Sequence, residues 1–182
     1  MELKHSKTEA NLQKALAGES IARNKYTYFA QAARENGQPE IAAAFEQMAQ
    51  NEMMHAKFWF ERLYGKPGAV KECLTQAAQG EYAEWREMYP AFAQQAREEG
   101  MEDLAVMFEK VAAIERSHEK RFLTLLSQLG ASAAPAAPQK PAPKVRRDGY
   151  RCQFCGAIFD RRPDVCDTCG AIGAFDYVQW EE

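Results

Sequence analysis

The sequence predicts a mainly α protein, a four-helix bundle followed by a small domain built on four cysteines. Three observations carry this expectation. Apolar residues from Thr8 to Gly130 recur at helical spacing. Glu-x-x-His occurs twice, as Glu52–His55 and Glu115–His118, at an offset of 63 residues. Two Cys-x-x-Cys-Gly pairs then follow a stretch of alanine and proline. A chain of 182 residues has room for one medium domain and one small one. The expected division is 1–130 for the bundle, 131–147 for a linker and 148–182 for the cysteine domain.

The first helix carries Leu12, Leu16, Glu19, Ala22, Tyr26, Phe29 and Ala33 on one face, and Gly37-Gln38-Pro39 breaks it. On the second, Ile41, Phe45, Met48, Glu52, His55, Trp59 and Leu63 form the stripe, which stops at Gly65-Lys66-Pro67-Gly68. Val70, Leu74, Ala77, Glu81, Glu84, Met88 and Phe92 mark the third, with Gly100 at its end. The fourth presents Leu104, Phe108, Val111, Glu115, His118, Phe122, Leu125 and Leu129, and Gly130 is its expected C-cap. In every helix ionisable residues interrupt the apolar stripe near its middle.

The halves repeat. Tyr26, Phe29, Arg34 and Phe45-Glu46 correspond to Tyr89, Phe92, Arg97 and Phe108-Glu109 at an offset of 63, whereas Gly18-Glu19 corresponds to Gly80-Glu81 at 62. One extra residue therefore lies between Glu81 and Tyr89, and a π-bulge would absorb it. Pro90 is a second expected distortion there. Beyond the helices, Ala131 to Lys144 reads as a semi-rigid Ala/Pro linker.

Composition narrows the function classes. The net charge of -3 argues against nucleic acid and anionic membranes as partners. No run of 18 apolar residues exists, so no membrane span is expected, and residues 1–11 lack the apolar core of a secretory signal. Four of the five cysteines are paired as Cys-x-x-Cys, which points to a metal site in a reducing compartment rather than to disulfides. Cys73, alone, reads as a small core or surface residue.

Residues i and i+3 share a helix face, so each Glu-x-x-His aims a carboxylate and an imidazole the same way. With glutamates from the other two helices, this is the ligand set of a di-iron or di-manganese bundle. The candidates are Glu19, Glu52, His55, Glu81, Glu84, Glu115 and His118. Five carboxylates on one face would repel one another severely, and two divalent ions would nearly neutralise them. A carboxylate-rich set with two imidazoles favours iron over zinc, and manganese fits equally by ligand type. Tyr26 and Tyr89 occupy equivalent inner positions, suited to core packing or to donating a hydrogen bond to a ligating carboxylate.

Cys152, Cys155, Cys166 and Cys169 are spaced for a tetrahedral four-thiolate site that takes iron or zinc. Tyr150, Phe154, Phe159, Phe175, Tyr177 and Trp180 are expected to form a small core around it. The arginines nearby (Arg146, Arg147, Arg151, Arg161, Arg162) read as a solvated face.

On these residues the chain resembles the rubrerythrins over nearly its full length. The motifs are Gly18-Glu19-Ser20-Ile21-Ala22-Arg23-Asn24-Lys25-Tyr26, Glu52-x-x-His55, Gly80-Glu81-x-x-Glu84-Trp85-x-Glu87-Met88-Tyr89-Pro90, Glu115-x-x-His118 and the two cysteine knuckles. The resemblance implies a ferritin-like di-iron bundle, a rubredoxin-like Fe(Cys)4 domain and reduction of hydrogen peroxide to water in the cytoplasm. It makes Glu52 and Glu115 the bridging carboxylates, Glu19 a terminal ligand of one iron, and Glu81 with His118 terminal ligands of the other. Glu84 is the carboxylate that one iron exchanges for His55 on reduction, and Tyr26 and Tyr89 match the family's supporting tyrosines. The chain departs from the family in a short inter-knuckle segment, in Asp167 for a usual proline, in Gly173 for a common lysine, and in its long linker.

The implied function is an oxidative-stress peroxidase fed by an external electron donor, such as rubredoxin or an NAD(P)H-dependent reductase. Its rivals are an oxygen-driven ferroxidase or iron-storage protein and a non-enzymatic electron carrier with a zinc knuckle. A homodimer with exchanged helix pairs is also expected. Ferritin-like topology requires a crossover along a second helix about 36 Å long. The connection Gly65 to Ala69 reaches only about 18 Å. The remaining single-chain solution is an up-down-up-down bundle.

Overall fold

The computed structural model describes residues 3–131 and 146–181; most of the expected linker, 132–145, lies outside them. The chain forms two compact units, Met1–Gly68 and Ala69–Glu182.

The first unit is a hairpin of α1 (Lys7–Glu35) and α2 (Pro39–Tyr64). Ser6 caps α1 by accepting the Glu9 N–H at 3.1 Å. The turn is a Schellman motif: Gln38 N–H bonds the Ala33 carbonyl and Gly37 N–H that of Arg34, both at 2.9 Å. Gly37 sits at φ 69°, where a Cβ would be strained. Pro39 opens α2, where a missing N–H costs nothing. The helices meet over alanines; Ala30, Ala42 and Ala49 are buried.

The second unit repeats this design and adds to it. Helices α4 (Tyr89–Glu98) and α5 (Glu102–Ala131) are joined by the same turn, with Gly100 at φ 78° and Met101 N–H bonding the Ala96 carbonyl. Ala93 and Ala105, the counterparts of Ala30 and Ala42, are buried at the crossing. The exposed Arg34–Glu46 pair recurs as Arg97–Glu109, at 2.7 Å in the second unit. Gly130, expected as a C-cap, instead lies within α5, which continues to Ala131.

Upstream of α4, α3 (Val70–Ala83) also packs on α5. Between α3 and α4 the expected extra residue is found as a π-helical segment, Glu84–Met88, in which Tyr89 N–H bonds the Glu84 carbonyl five residues back. Pro90 follows directly, at the start of α4, where its lack of an N–H is tolerated. Trp85 clamps the segment to α5: its indole donates to Glu119 at 2.7 Å, and the Arg116 guanidinium lies 5.1 Å from its ring centre.

The cysteine domain is a three-stranded antiparallel sheet of order β2-β1-β3, with β1 Arg146–Cys152, β2 Ile158–Phe159 and β3 Phe175–Glu181. Of the aromatics expected in its core, Phe175 is buried and Tyr150 and Phe159 pack against it. Phe154 and Tyr177 are exposed instead, with the Tyr177 ring edge-on to Tyr150 and its hydroxyl donating to Asp148. The Trp180 side chain lies outside the described residues. Among the described residues no helix is long and apolar enough to cross a membrane.

The π segment sets the register between Glu81 and Tyr89. Deleting Arg86 removes the extra residue and gives the spacing of the first half. Helicity by circular dichroism is expected to persist, while Glu84 loses its place and metal affinity of the second unit falls at least tenfold. Unchanged affinity would show that the segment is incidental.

Candidate metal centres

Each unit holds a three-residue cluster of metal-ligating groups, assembled by the same helical spacing. In the first, His55 Nδ1 lies 2.8 Å from Glu52 Oε2 and 3.9 Å from Glu19 Oε2. In the second, His118 Nδ1 lies 2.6 Å from Glu115 Oε2 and 3.8 Å from Glu81 Oε2. The ligand atoms of each group fall within 4.8 Å of one another. The structure thus brings six of the seven expected bundle residues into two matching half-sites. Their depth is less uniform than the shared stripe suggests: His55 is exposed and the other five are half-buried.

Glu84 is the seventh. It opens the π segment, outside the compact group, yet its charge acts on both Glu81 and Tyr89. The tyrosines keep their equivalence. Tyr26 packs with Phe29 and Phe45, and Tyr89 with Phe92 and Phe108, with matching ring separations of 5.5–6.4 Å. Burial, then the charges of Glu84, Glu115 and Glu81, push the Tyr89 phenol up, so its hydroxyl stays protonated and able to donate.

The second half-site is electrostatically unresolved without a cation. Burial, a hydrogen bond to Glu115 and the Glu115 charge raise the Glu81 carboxyl from 4.5 to about 7. Carboxylates that must share a proton at neutral pH are a donor set suited to divalent iron, which replaces that proton.

The four thiols also fit a metal. Cys152 Sγ is 3.7 Å from Cys169 Sγ, and Cys155 Sγ is 3.6 Å from Cys166 Sγ. Those are too long for disulfides and close to the edge of about 3.8 Å that a tetrahedron with metal–sulfur bonds of about 2.3 Å requires. Burial disfavours the Cys152 thiolate, but the N–H groups of Cys155 and Phe154 and the neighbouring thiols outweigh it and bring its pKa to about 7. Cys152 and Cys166 are buried and Cys169 is exposed. Cys73 lies apart from all three groups and is half-buried.

Two features escaped the sequence reading. Trp85 was seen only as part of a motif, and its bond to Glu119 has no signature beyond spacing. Gly156 was read as a turn glycine, although its Cα also packs against His118.

Comparison with known proteins follows this geometry. The rubrerythrin family model matches residues 10–126 and 72–147. A rubrerythrin of Porphyromonas gingivalis is 36% identical, over 95% of this chain and 90% of its own. Rubrerythrin-1 of Clostridium acetobutylicum is 37% identical, over 92% and 91%. The solved structure of fully reduced, all-ferrous nigerythrin aligns over 97% of this chain and 91% of its own, at 30% identity and a TM-score of 0.41.

Stability of the metal-free protein should depend on Glu81. A carboxyl whose folded pKa is raised stabilises in its protonated form, fully below about pH 4.5, and the contribution is lost as pH rises through about 7. The loss is at most about 3 kcal/mol. Melting of metal-free protein is expected to fall between pH 5 and pH 8, and anaerobic ferrous iron is expected to flatten that slope. A slope unchanged by iron would place the metal elsewhere.

Proposed function

The chain belongs to the rubrerythrin family, and on that premise we propose that it is a non-haem di-iron peroxidase that reduces hydrogen peroxide to water in oxidative-stress defence. The family carries a di-iron centre, and its members are generally oxidoreductases. The chain has both parts of that family's fold, the helices of a ferritin-like four-helix bundle and a rubredoxin-like four-cysteine domain built for a mononuclear iron. One observation carries the finer reading: two repeat-equivalent half-sites, of which only the second has an added carboxylate, Glu84, and a four-thiol cluster in the same unit.

Peroxide needs two electrons together to avoid a hydroxyl radical, and a pair of ferrous ions supplies one each. The chain's own groups prepare that step. Glu52 and Glu115, each within hydrogen-bond distance of its histidine, would be the carboxylates that the two metal ions share. Glu19 and Glu81 complete the half-sites, with His55 and His118 as the nitrogen donors. Glu84, carried by the clamped π segment, would be the added carboxylate ligand of one metal ion. Tyr89 keeps its proton beside the acidic groups and would donate to one of them, and Tyr26 would be its counterpart in the first unit. Cys152, Cys155, Cys166 and Cys169 would hold a mononuclear iron, which would supply one-electron chemistry with an external donor such as rubredoxin or an NAD(P)H-dependent reductase. The setting is the cytoplasm, where free thiols stay reduced.

A second copy of the chain completes the bundle in this proposal. The connection from Tyr64 to Val70 reaches about 18–20 Å, against about 39 Å for the 26 residues of α2. Phe29, Ile41 and Met48, on the inner stripes of the α1–α2 hairpin, are exposed, an apolar face suited to another hairpin. Exchange of hairpins between two chains covers this face and pairs each Glu19–Glu52–His55 group with the partner's equivalent of the second half-site.

The activity test is anaerobic. Stoichiometric peroxide is expected to oxidise the ferrous, iron-loaded protein much faster than oxygen does, with water as product; faster oxidation by oxygen would favour a ferroxidase. In the same assay Glu84→Ala is expected to keep its helicity and lose at least tenfold of the peroxide rate.

Exchange is tested by complementation. Co-folded Glu52→Ala and Glu115→Ala chains are expected to regain up to half of the parental activity per dimer, which neither variant has alone. No recovery in verified heterodimers would favour a bundle formed within one chain.

A further inference from the structure

Two of the metal-ligating residues of the second unit have chain neighbours that bond to each other. Trp85 follows Glu84 in the π segment, and Glu119 follows His118 in α5. The Trp85 indole N–H donates to Glu119 Oε2 at 2.7 Å, in a half-buried setting. The Arg116 guanidinium lies 5.1 Å from the centre of the same indole, and Tyr82 meets it edge-on with ring centres 5.5 Å apart. The first half has no equivalent of this rung. At the offset of 63 that relates His118 to His55, Glu119 corresponds to Ala56 and Arg116 to Met53. Trp85 corresponds to Ala22 or Arg23, according to the side of the extra residue from which the count is made. The corresponding helix, α1, runs as one α-helix from Lys7 to Glu35. Rung and π segment thus occur together, in one half only.

We infer that Glu119 is a positioning residue for Glu84: by receiving the Trp85 indole it fixes where the extra residue is absorbed, and so keeps Glu84 on the face of Glu81 and at a set distance from His118. This rests on the reading of Glu84 as a metal ligand for its purpose, whereas the register itself is readable without any metal chemistry. The extra residue between Glu81 and Tyr89 fixes only a count. A surplus residue in a helix is absorbed equally well one position earlier or later unless a contact selects the place. Were the π turn to lie upstream of Glu84, that residue would follow the register of α4 and turn by about 100° away from Glu81. The rung prevents this. It ties the residue next to Glu84 to the residue next to His118, so the surplus stays downstream of Glu84, where Tyr89 N–H bonds the Glu84 carbonyl. Arg116 and Tyr82 hold the indole plane and leave its N–H one direction in which to donate. Glu119 is a carboxylate that serves the site without being one of the clustered ligands.

Amide hydrogen exchange in the full chain, loaded anaerobically with ferrous iron, reads the register at the Tyr89 amide. Glu119→Leu removes the acceptor, and Trp85→Phe removes the donor while leaving a ring beside Arg116. Either is expected to raise Tyr89 exchange at least tenfold, with the α1–α2 hairpin at the parental level. Glu119→Gln keeps an acceptor oxygen at the same place and is expected to stay within twofold of the parent. Parental exchange in both broken variants, or a glutamine variant as damaged as the leucine one, would overturn the inference. Titration with ferrous iron then distinguishes positioning from general support of the fold. Glu119→Leu is expected to weaken iron binding by the bundle several-fold, about as much as Glu84→Ala does, and to add less than twofold when the two are combined. Losses that multiply would show that Glu119 acts on the fold at large, and would equally overturn it. Should Glu119→Leu fail to fold, Trp85→Phe carries both measurements. Neither uses peroxide, so failure of the peroxidase reading leaves both outcomes legible.

Discussion

Glu81 and Glu115 can share a hydrogen bond only if one of them holds a proton. That requirement, at a pKa of about 7 for Glu81, is the constraint around which the helical part is organised. Burying carboxylates together is costly unless something positive joins them. Among the described residues no lysine or arginine pairs with Glu81 or Glu115; their ion-pair partner is His118, whose charge depends on protonation. The cationic pairs lie elsewhere, as Arg34–Glu46 and Arg97–Glu109 near the hairpin turns. The acidic groups are thus left for a metal, and the hairpins are held by alanine crossings and Schellman turns that do not depend on it.

The near-identity of the two halves makes their one difference informative. Distances from histidine to carboxylates agree to within 0.2 Å between half-sites, and the tyrosine clusters agree as closely. Only the second half carries the π segment. A π turn has poorer hydrogen bonding than an α turn and persists where something compensates. Here the Trp85–Glu119 bond and the Arg116 stacking hold it. The segment presents Glu84 beside a cluster that is already complete by comparison with the first half.

Helix number, breaks and the π segment were legible because each rests on local periodicity or on an offset that simple counting reveals. The ligand clusters were legible for the same reason: i and i+3 spacing fixes which face a side chain takes. Gly130 reads as a cap because a glycine near a helix end resembles one, whereas α5 runs through it to Ala131. The small sheet was not foreseen. Its strands are short, and their alternation is obscured where Arg146 and Arg147 precede Tyr150. Phe154 and Tyr177 were assigned to the core on composition, but composition carries no direction, and both rings point to solvent.

Contacts distant in sequence were the least legible, and they distinguish the two half-sites. Asp167 looked like a bare departure from a family pattern until Lys110, 57 residues away, was found beside it. Gly156 looked like one of two equivalent turn glycines until His118 was found against it. Both partners lie on one stripe of α5 with Ile114 between them. A surface ion pair contributes little by itself, and a single buried isoleucine contributes about 1.5–3 kcal/mol. A contact of that size holds a small domain in place without locking it there. Of the four clustered cysteines Cys169 is the exposed one, so one edge of the thiol cluster stays open to solvent while Cys152 and Cys166 are buried.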